Sequence, residues 1–258
     1  MSTYVMSDIH GHFDEFLRML ELIVFSDRDE LIIAGDYVDR GPKTLEMLRW
    51  IEESPENVIL LKGNHDAEFS YCINFVQSLG GGLDKNSITD TKKAFELIQK
   101  IPELKDSPFF DYYGTIENLI MYKDVTLAEL KRWVVMIRKM PFVYRRRVNG
   151  KKFIIVHAGY LEDDSVSAEE KEQFYLYARE NAYTDGGARG AIIVAGHTPT
   201  IIKGLPMYTG GEVFRLYDEK KDCVFYDIDC GCGYKGSDWF KNGRLACIRL
   251  EDEQIFYI

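Results

Sequence analysis

Five stretches of this 258-residue chain run into a short polar segment flanked by glycine, and that repeated pattern limits the fold more than any other feature. The segments are Ser7-Asp8-Ile9-His10-Gly11, Gly35-Asp36-Tyr37-Val38-Asp39-Arg40-Gly41, Gly63-Asn64-His65-Asp66, His157-Ala158-Gly159 and Gly196-His197-Thr198. The runs before the first three, at 3–7, 30–34 and 57–61, read as short buried strands. Between them, Phe13, Phe16, Leu17, Leu20 and Ile23-Val24 recur at helical spacing, and 44–51 reads as a second helix. Strands alternating with helices predict βαβ units and a parallel sheet. Ligand sites in such sheets gather beyond the carboxyl ends of the strands, so the polar segments should converge on one edge.

The alternation is interrupted. Over about 67–140 the pattern is mostly helical: Phe69, Cys72, Ile73, Phe75 and Val76 suit an amphipathic helix, Gly80-Gly81-Gly82 breaks it, and 91–100 and 126–139 read as further helices. Strands return at 142–148 and 152–156, around the two-residue hairpin signal Asn149-Gly150. A helix is expected over 168–183 and a strand at 191–195, followed by antiparallel strands at 212–217, 223–228, 245–250 and 254–258. The expected fold class is α/β: a two-sheet sandwich flanked by helices, one domain over 1–258 with a mostly helical cap or insertion at about 67–140.

Composition serves mainly to exclude. A net charge of −10 weighs against nucleic acid, whose binders usually carry a basic face. No run of 18 apolar residues is present, so no membrane span is expected. The start lacks a basic stretch leading into an apolar one, and five cysteines make an odd count; together these predict a cytoplasmic protein with reduced thiols. Cys230 and Cys232 are separated by one glycine, which suits a tight turn rather than a zinc knuckle. Arg145-Arg146-Arg147 and Lys151-Lys152 flank the hairpin turn, which suits a solvated hairpin or, alternatively, a dock for an acidic partner.

Of the five histidines, His10, His65, His157 and His197 follow expected strands, while His12 reads as a supporting or exposed residue. A single histidine so placed is more often a hydrogen-bonded surface residue than a ligand. Gathered with aspartates on one edge, the set offers the imidazole and carboxylate donors that suit Zn, Mn or Fe. Two divalent ions about 3.5–4 Å apart can bridge a phosphate and acidify a water. Such a site needs a carboxylate shared by both ions, a cationic clamp and an acid for the leaving oxygen. No cysteine sits in a phosphate-cradling loop, which agrees with hydrolysis without a phosphoenzyme.

These segments, in this order over residues 8 to 197, resemble the signature set of the phosphoprotein phosphatase family within the calcineurin-like phosphoesterases. The resemblance implies two divalent metal ions, manganese first, with iron or zinc as alternatives. It implies Asp8, His10 and a bridging Asp36 at one ion, and Asp36, Asn64, His157 and His197 at the other. It makes His65 the general acid, oriented and kept charged by Asp39, and Arg40 a phosphate clamp with Asn64 nearby. A second clamp falls on Arg179, with Tyr177 two residues before it, and Arg189 is the competitor. Asp66 stands where many members carry Glu, Ser7 where many carry Gly, and Pro199 where wider relatives carry a second histidine. The C-terminal loop with an active-site tyrosine seen in eukaryotic members is not recognisable, and the close of the chain looks like the compact bacterial branch.

The activity so implied is phosphomonoester hydrolysis by direct attack of a hydroxide held by the metal pair, with a serine/threonine phosphoprotein or phosphopeptide as first substrate. The alternative is hydrolysis of dinucleoside polyphosphates such as diadenosine tetraphosphate, whose bacterial symmetrical hydrolases carry nearly the same motifs. Tyr71, Phe75, Phe109, Phe110, Tyr112 and Tyr113 could then stack on a base, although they also suit packing of the cap. A non-catalytic binding module on the same scaffold is disfavoured, because no implied ligand is missing.

Overall fold

A computed structural model describes residues 1–78 and 125–258. In chain order its elements are β1 (Thr3–Met6), α1 (Phe13–Leu22), β2 (Glu30–Ile33), α2 (Thr44–Glu52), β3 (Val58–Leu60), α3 (Asn64–Ser78), α4 (Leu127–Lys139), β4 (Val143–Val148), β5 (Lys151–Val156), α5 (Ala168–Tyr177), α6 (Asn181–Thr184), β6 (Ala191–Ala195), β7 (Phe214–Asp218), β8 (Cys223–Asp227), a 3-10 turn (Cys232–Tyr234), β9 (Ala246–Arg249) and β10 (Gln254–Tyr257). The triple glycine at 80–82, the helix expected at 91–100 and the aromatics at 109–113 lie outside the described residues.

Two five-stranded mixed sheets form, ordered β10-β9-β1-β2-β3 and β4-β5-β6-β8-β7. β1, β2 and β3 are parallel neighbours, as are β5, β6 and β8. β8, expected among antiparallel strands, pairs antiparallel only with β7. The period of two in side-chain direction explains the layering. Val5 and Ile32 face Phe153, Ile155 and Val194 between the sheets. Tyr4, Met6, Leu31 and Ile33 point the other way, onto Phe16, Leu48, Trp133 and Ile137 of α1, α2 and α4. Ile154, Val156 and Ile193 point outward beneath Phe174, Ala178 and Ala182. Helices therefore cover both outer faces of an α/β sandwich.

Two expectations shift. In α1 the buried positions are Phe16 and Met19, while Leu17 is 37% and Val24 80% exposed. The buried stripe runs through Met19, which the spacing argument passed over. The helix expected over 168–183 breaks at Ala178, whose backbone is extended. The Asn181 carboxamide accepts the Arg179 N–H at 2.9 Å, a local bond that competes with helix continuation. At the hairpin turn Asn149 and Gly150 have φ of 48° and 81°, the left-handed pair that a two-residue turn of this twist demands. Thr126 caps α4 reciprocally with Glu129, and Glu129 also takes Arg49 of α2 at 3.0 Å.

Candidate metal centre

The polar segments do converge. Asp8, His10, Asp36, Arg40, Asn64, His65, Arg179 and His197 line one cavity of about 180 Å³ at the carboxyl ends of the strands. His157, fully buried, lies behind them with Nε2 2.8 Å from Asn64 Oδ1 and 3.6 Å from Asp36 Oδ1. Asp39 is buried and hydrogen-bonds His65 Nδ1 at 2.6 Å.

The backbone is contorted where these side chains leave it. Among the described residues ten non-glycine residues have positive φ, and six of them are Asp8, His10, Asp36, Asp39, Arg40 and His197. Such conformations cost about 1–3 kcal/mol each and persist only where the surroundings enforce them. Close glycines are part of the enforcement. A Cβ on Gly63 would lie 2.1 Å from Asp36 Oδ1, and one on Gly196 2.1 Å from Asp8 Oδ2. Hydrogen bonds supply the rest. The buried Asp66 carboxylate accepts the N–H groups of Asp36 (2.8 Å), Tyr37 (3.0 Å) and Gly63 (2.9 Å), so the shorter acid at this position ties two of the segments together. The Asp8 carboxylate accepts the His197 N–H at 3.0 Å, and the Ser7 hydroxyl donates to it.

The donor set fits a pair of cations. His10 Nδ1 is 2.8 Å from the Val38 carbonyl and His157 Nδ1 2.9 Å from that of Ala34. A carbonyl can only accept, so each Nδ1 carries a proton, and in a neutral imidazole Nε2 is then the nitrogen with the lone pair. His10 Nε2 then faces Asp36 Oδ2 at 3.5 Å and Asp8 Oδ1 at 3.9 Å, acceptor against acceptor. Burial, aided by the Arg40 charge, holds His10 well below the usual imidazole range, so protonation does not relieve the contact. Burial does the same to His197, whose Nδ1 meets Asn64 Oδ1 at 3.0 Å and whose ring centroid lies 5.1 Å from that of His157. Burial pushes the Asp36 carboxyl well up. Lone pairs converging in a buried pocket are the environment that a divalent ion resolves, and imidazoles anchored through Nδ1–H to backbone carbonyls are typical of ligands.

Two sets of potential ligand atoms lie mutually within 4.8 Å: Asp8, Asp36 and His157, and His10, Asp36 and His65. Asp36 belongs to both, although the sets group Asp8 with His157 and His10 with His65 rather than Asp8 with His10. His65 differs from the other histidines. Burial lowers its pKa, but the Asp36 charge and the 2.6 Å hydrogen bond to Asp39 outweigh that and raise it overall. Its Nε2 faces Arg40 Nη2 at 3.3 Å. The raised pKa favours the protonated imidazole, and beside Arg40 it suits an incoming anion.

The helix break noted above leaves Tyr177 and Arg179 on the cavity wall, whereas Arg189 lies on a different cavity. Tyr177 donates to Glu68 at 3.3 Å and meets His197 edge-on at 6.2 Å. His12 is buried, 3.7 Å from Glu15, and does not line the site. Cys230 and Cys232 are buried in their turn.

Sequence reasoning missed two residues here. Tyr234, after Gly231-Cys232-Gly233, lines the cavity with its ring 4.5 Å from the Arg40 guanidinium. A tyrosine is thus present at the site although no such loop was recognisable. Asp229 also lines the cavity and accepts the Gly231 N–H at 2.9 Å, which fixes the turn that carries Tyr234. Burial, then the charge of Asp8, push its carboxyl up to about 8. The available signal was the familiar one, an apolar strand running into glycine-flanked polar residues.

A family model for calcineurin-like phosphoesterases matches residues 1–226. The symmetrical bis(5'-nucleosyl)-tetraphosphatase of Wigglesworthia glossinidia brevipalpis is 45% identical over 162 residues, which cover 62% of this chain and 46% of the relative. The enzyme of the same name from Psychromonas ingrahamii is 46% identical over 127 residues, covering 49% and 45%. The chain spans about half the length of these curated relatives. A metallophosphoesterase structure from Sphaerobacter thermophilus shares the fold, with a TM-score of 0.52 at 14% identity over 100% of this chain and 86% of that one.

Proposed function

The chain belongs to the calcineurin-like phosphoesterase family, and on that premise we propose that it hydrolyses dinucleoside polyphosphates, cutting a tetraphosphate bridge at its centre. The observation that carries the substrate is the 45–46% identity to symmetrical bis(5'-nucleosyl)-tetraphosphatases. The phosphoprotein substrate expected first from the sequence finds no support among these relatives.

Asp8, His10 and Asp36 would hold one divalent ion, and Asp36, Asn64, His157 and His197 the other. The mixed nitrogen and oxygen donors suit manganese, and equally iron or zinc. Once bound, the ions supply positive charge to phosphoryl oxygens and lower the pKa of a water. The protein does the rest. Arg40, backed by the Tyr234 ring, and Arg179 grip non-bridging oxygens of the phosphate. Asp66, through the Asp36 N–H, and the His65 N–H, through Oδ1, fix the Asp36 carboxylate. His65, kept protonated by Asp39, gives its Nε2 proton to the leaving oxygen. In a phosphoanhydride the leaving group is a nucleoside diphosphate, a weaker base than an alkoxide, so less is demanded of that acid.

The test is product analysis. With manganese and diadenosine tetraphosphate, central cleavage yields ADP alone. AMP with ATP would refute central cleavage. A higher kcat/KM on a phosphoserine peptide than on the dinucleotide would overturn the substrate in favour of a phosphoprotein.

A further inference from the structure

At the opposite edge of the second sheet, where β5, β6 and β8 begin, lies a cavity of about 550 Å³. It is far larger than the catalytic cavity, and its size suits a nucleotide. Lys152 in its wall precedes His157 by five residues of strand, about 16 Å of chain, so the two cavities occupy opposite ends of the same strands. Five cationic side chains line it, Arg147, Lys151, Lys152, Arg189 and Arg215, against the two carboxylates of Asp222 and Glu253. Such a concentration stands out in a chain of net charge −10.

The internal pairing does not balance the charge. Glu253 is taken by Lys151 and by the Tyr226 hydroxyl, which also accepts from Arg215 Nε at 3.0 Å. Asp222 accepts the Tyr217 hydroxyl at 2.8 Å. Among the described residues Lys152 has only Glu162, 3.6 Å away and 54% exposed. The guanidinium groups of Arg147 and Arg189 have no hydrogen bond or ion pair among the described residues. Strand register brings them together: Arg147 pairs with Lys152, and Lys152 with Ala191, two residues after Arg189. Two strand spacings are about 10 Å, within joint reach of two arginines. The rim is open at Gly150 and Gly190, where a Cβ would meet nothing within 4 Å. Tyr217, 48% exposed, presents an aromatic face on the wall.

We propose that this cavity is a second, non-catalytic site that binds a nucleoside polyphosphate, the phosphates on Arg147, Lys152 and Arg189 and the base against Tyr217. Five cationic side chains share one concave site on an acidic protein. That favours a small anion over a nucleic acid, whose backbone needs an extended basic track.

The experiment is calorimetric titration of the intact chain carrying Arg40→Ala, which weakens the catalytic cavity, with ATP and separately with inorganic tripolyphosphate. One ATP site per chain is expected to remain, and adding Arg147→Ala and Arg189→Ala should weaken it by about tenfold or more. With Arg40 intact, the Arg147→Ala and Arg189→Ala pair should leave phosphoesterase turnover within about twofold of wild type, which also reports folding; should the pair fail to fold, Arg147→Gln alone is expected to weaken ATP by about tenfold. No residual ATP site in Arg40→Ala, or a site indifferent to Arg147 and Arg189, overturns the proposal. Tripolyphosphate binding as tightly as ATP overturns the part assigned to Tyr217.

Discussion

Replacing Gly63 by alanine should disable the centre without touching any candidate ligand. A Cβ there would lie 2.1 Å from Asp36 Oδ1 and 2.4 Å from the Asp36 nitrogen, about 1 Å inside the 3.0 Å that Cβ atoms respect. Neither neighbour has a soft way out. Asp36 Oδ1 accepts the His65 N–H at 3.0 Å, and the Asp36 N–H is held by Asp66 at 2.8 Å on a backbone already at φ 59°. Asp36 must therefore move by about 1 Å, and a displacement of that size costs roughly 100-fold in rate. Overpacking of this kind costs about 1–3 kcal/mol of stability, or roughly 2–12 °C in melting temperature for a domain of this size. The assay is kcat/KM on diadenosine tetraphosphate, with metal content by elemental analysis and thermal unfolding by circular dichroism. Gly204→Ala is the control: its φ of 98° carries backbone strain, but the new Cβ meets nothing within 4 Å. A Gly63→Ala protein with two ions per chain and kcat/KM within about fivefold of wild type would refute the reasoning.

Other perturbations test the roles one at a time. His65→Asn should keep its metals and lose about 10²–10⁴-fold in kcat on a phosphoserine peptide, with a smaller loss on the dinucleotide; near wild-type turnover on both removes His65 as the acid. Asp36→Asn should lose at least one ion, and elemental analysis that finds two per chain contradicts the shared carboxylate. Asp39→Asn should move the alkaline limb of kcat/KM to lower pH: Asp39 helps to raise the His65 pKa, activity falls as pH rises through that value, and removing the carboxylate lowers it. An unmoved limb would detach His65 from the profile.

Much of the candidate site is legible in the sequence because its requirements are local. His10, Asp36 and His197 need left-handed or crowded backbone, and glycine beside them is how a chain permits it. The apolar runs 30–34 and 191–195 could be read as buried parallel strands because both their faces are covered, by the other sheet and by helices. Legibility fails where the cause is distant in sequence. The exposure of Leu17 and burial of Met19 depend on where α2 and Trp50 lie against α1. The end of α5 depends on one carboxamide at Asn181, which no apolar period records.

The same distinction explains Asp66 and Tyr234. Read as a residue type, Asp66 is a shortened Glu; in space it is the acceptor for three N–H groups from two separate segments, a role that its short side chain suits because the donors lie close. Tyr234 reaches the site only because Gly233 lets its turn lie against His10, where a Cβ would be 2.5 Å from the ring. The turn arrives from the end of β8, more than 200 residues after His10 in the chain. A cation–π contact between Tyr234 and Arg40, worth roughly 0.5–2 kcal/mol, holds the clamp in place before any phosphate arrives. That ordering cost is then met in folding rather than in binding, so the cavity of about 180 Å³ presents the Arg40 guanidinium already positioned.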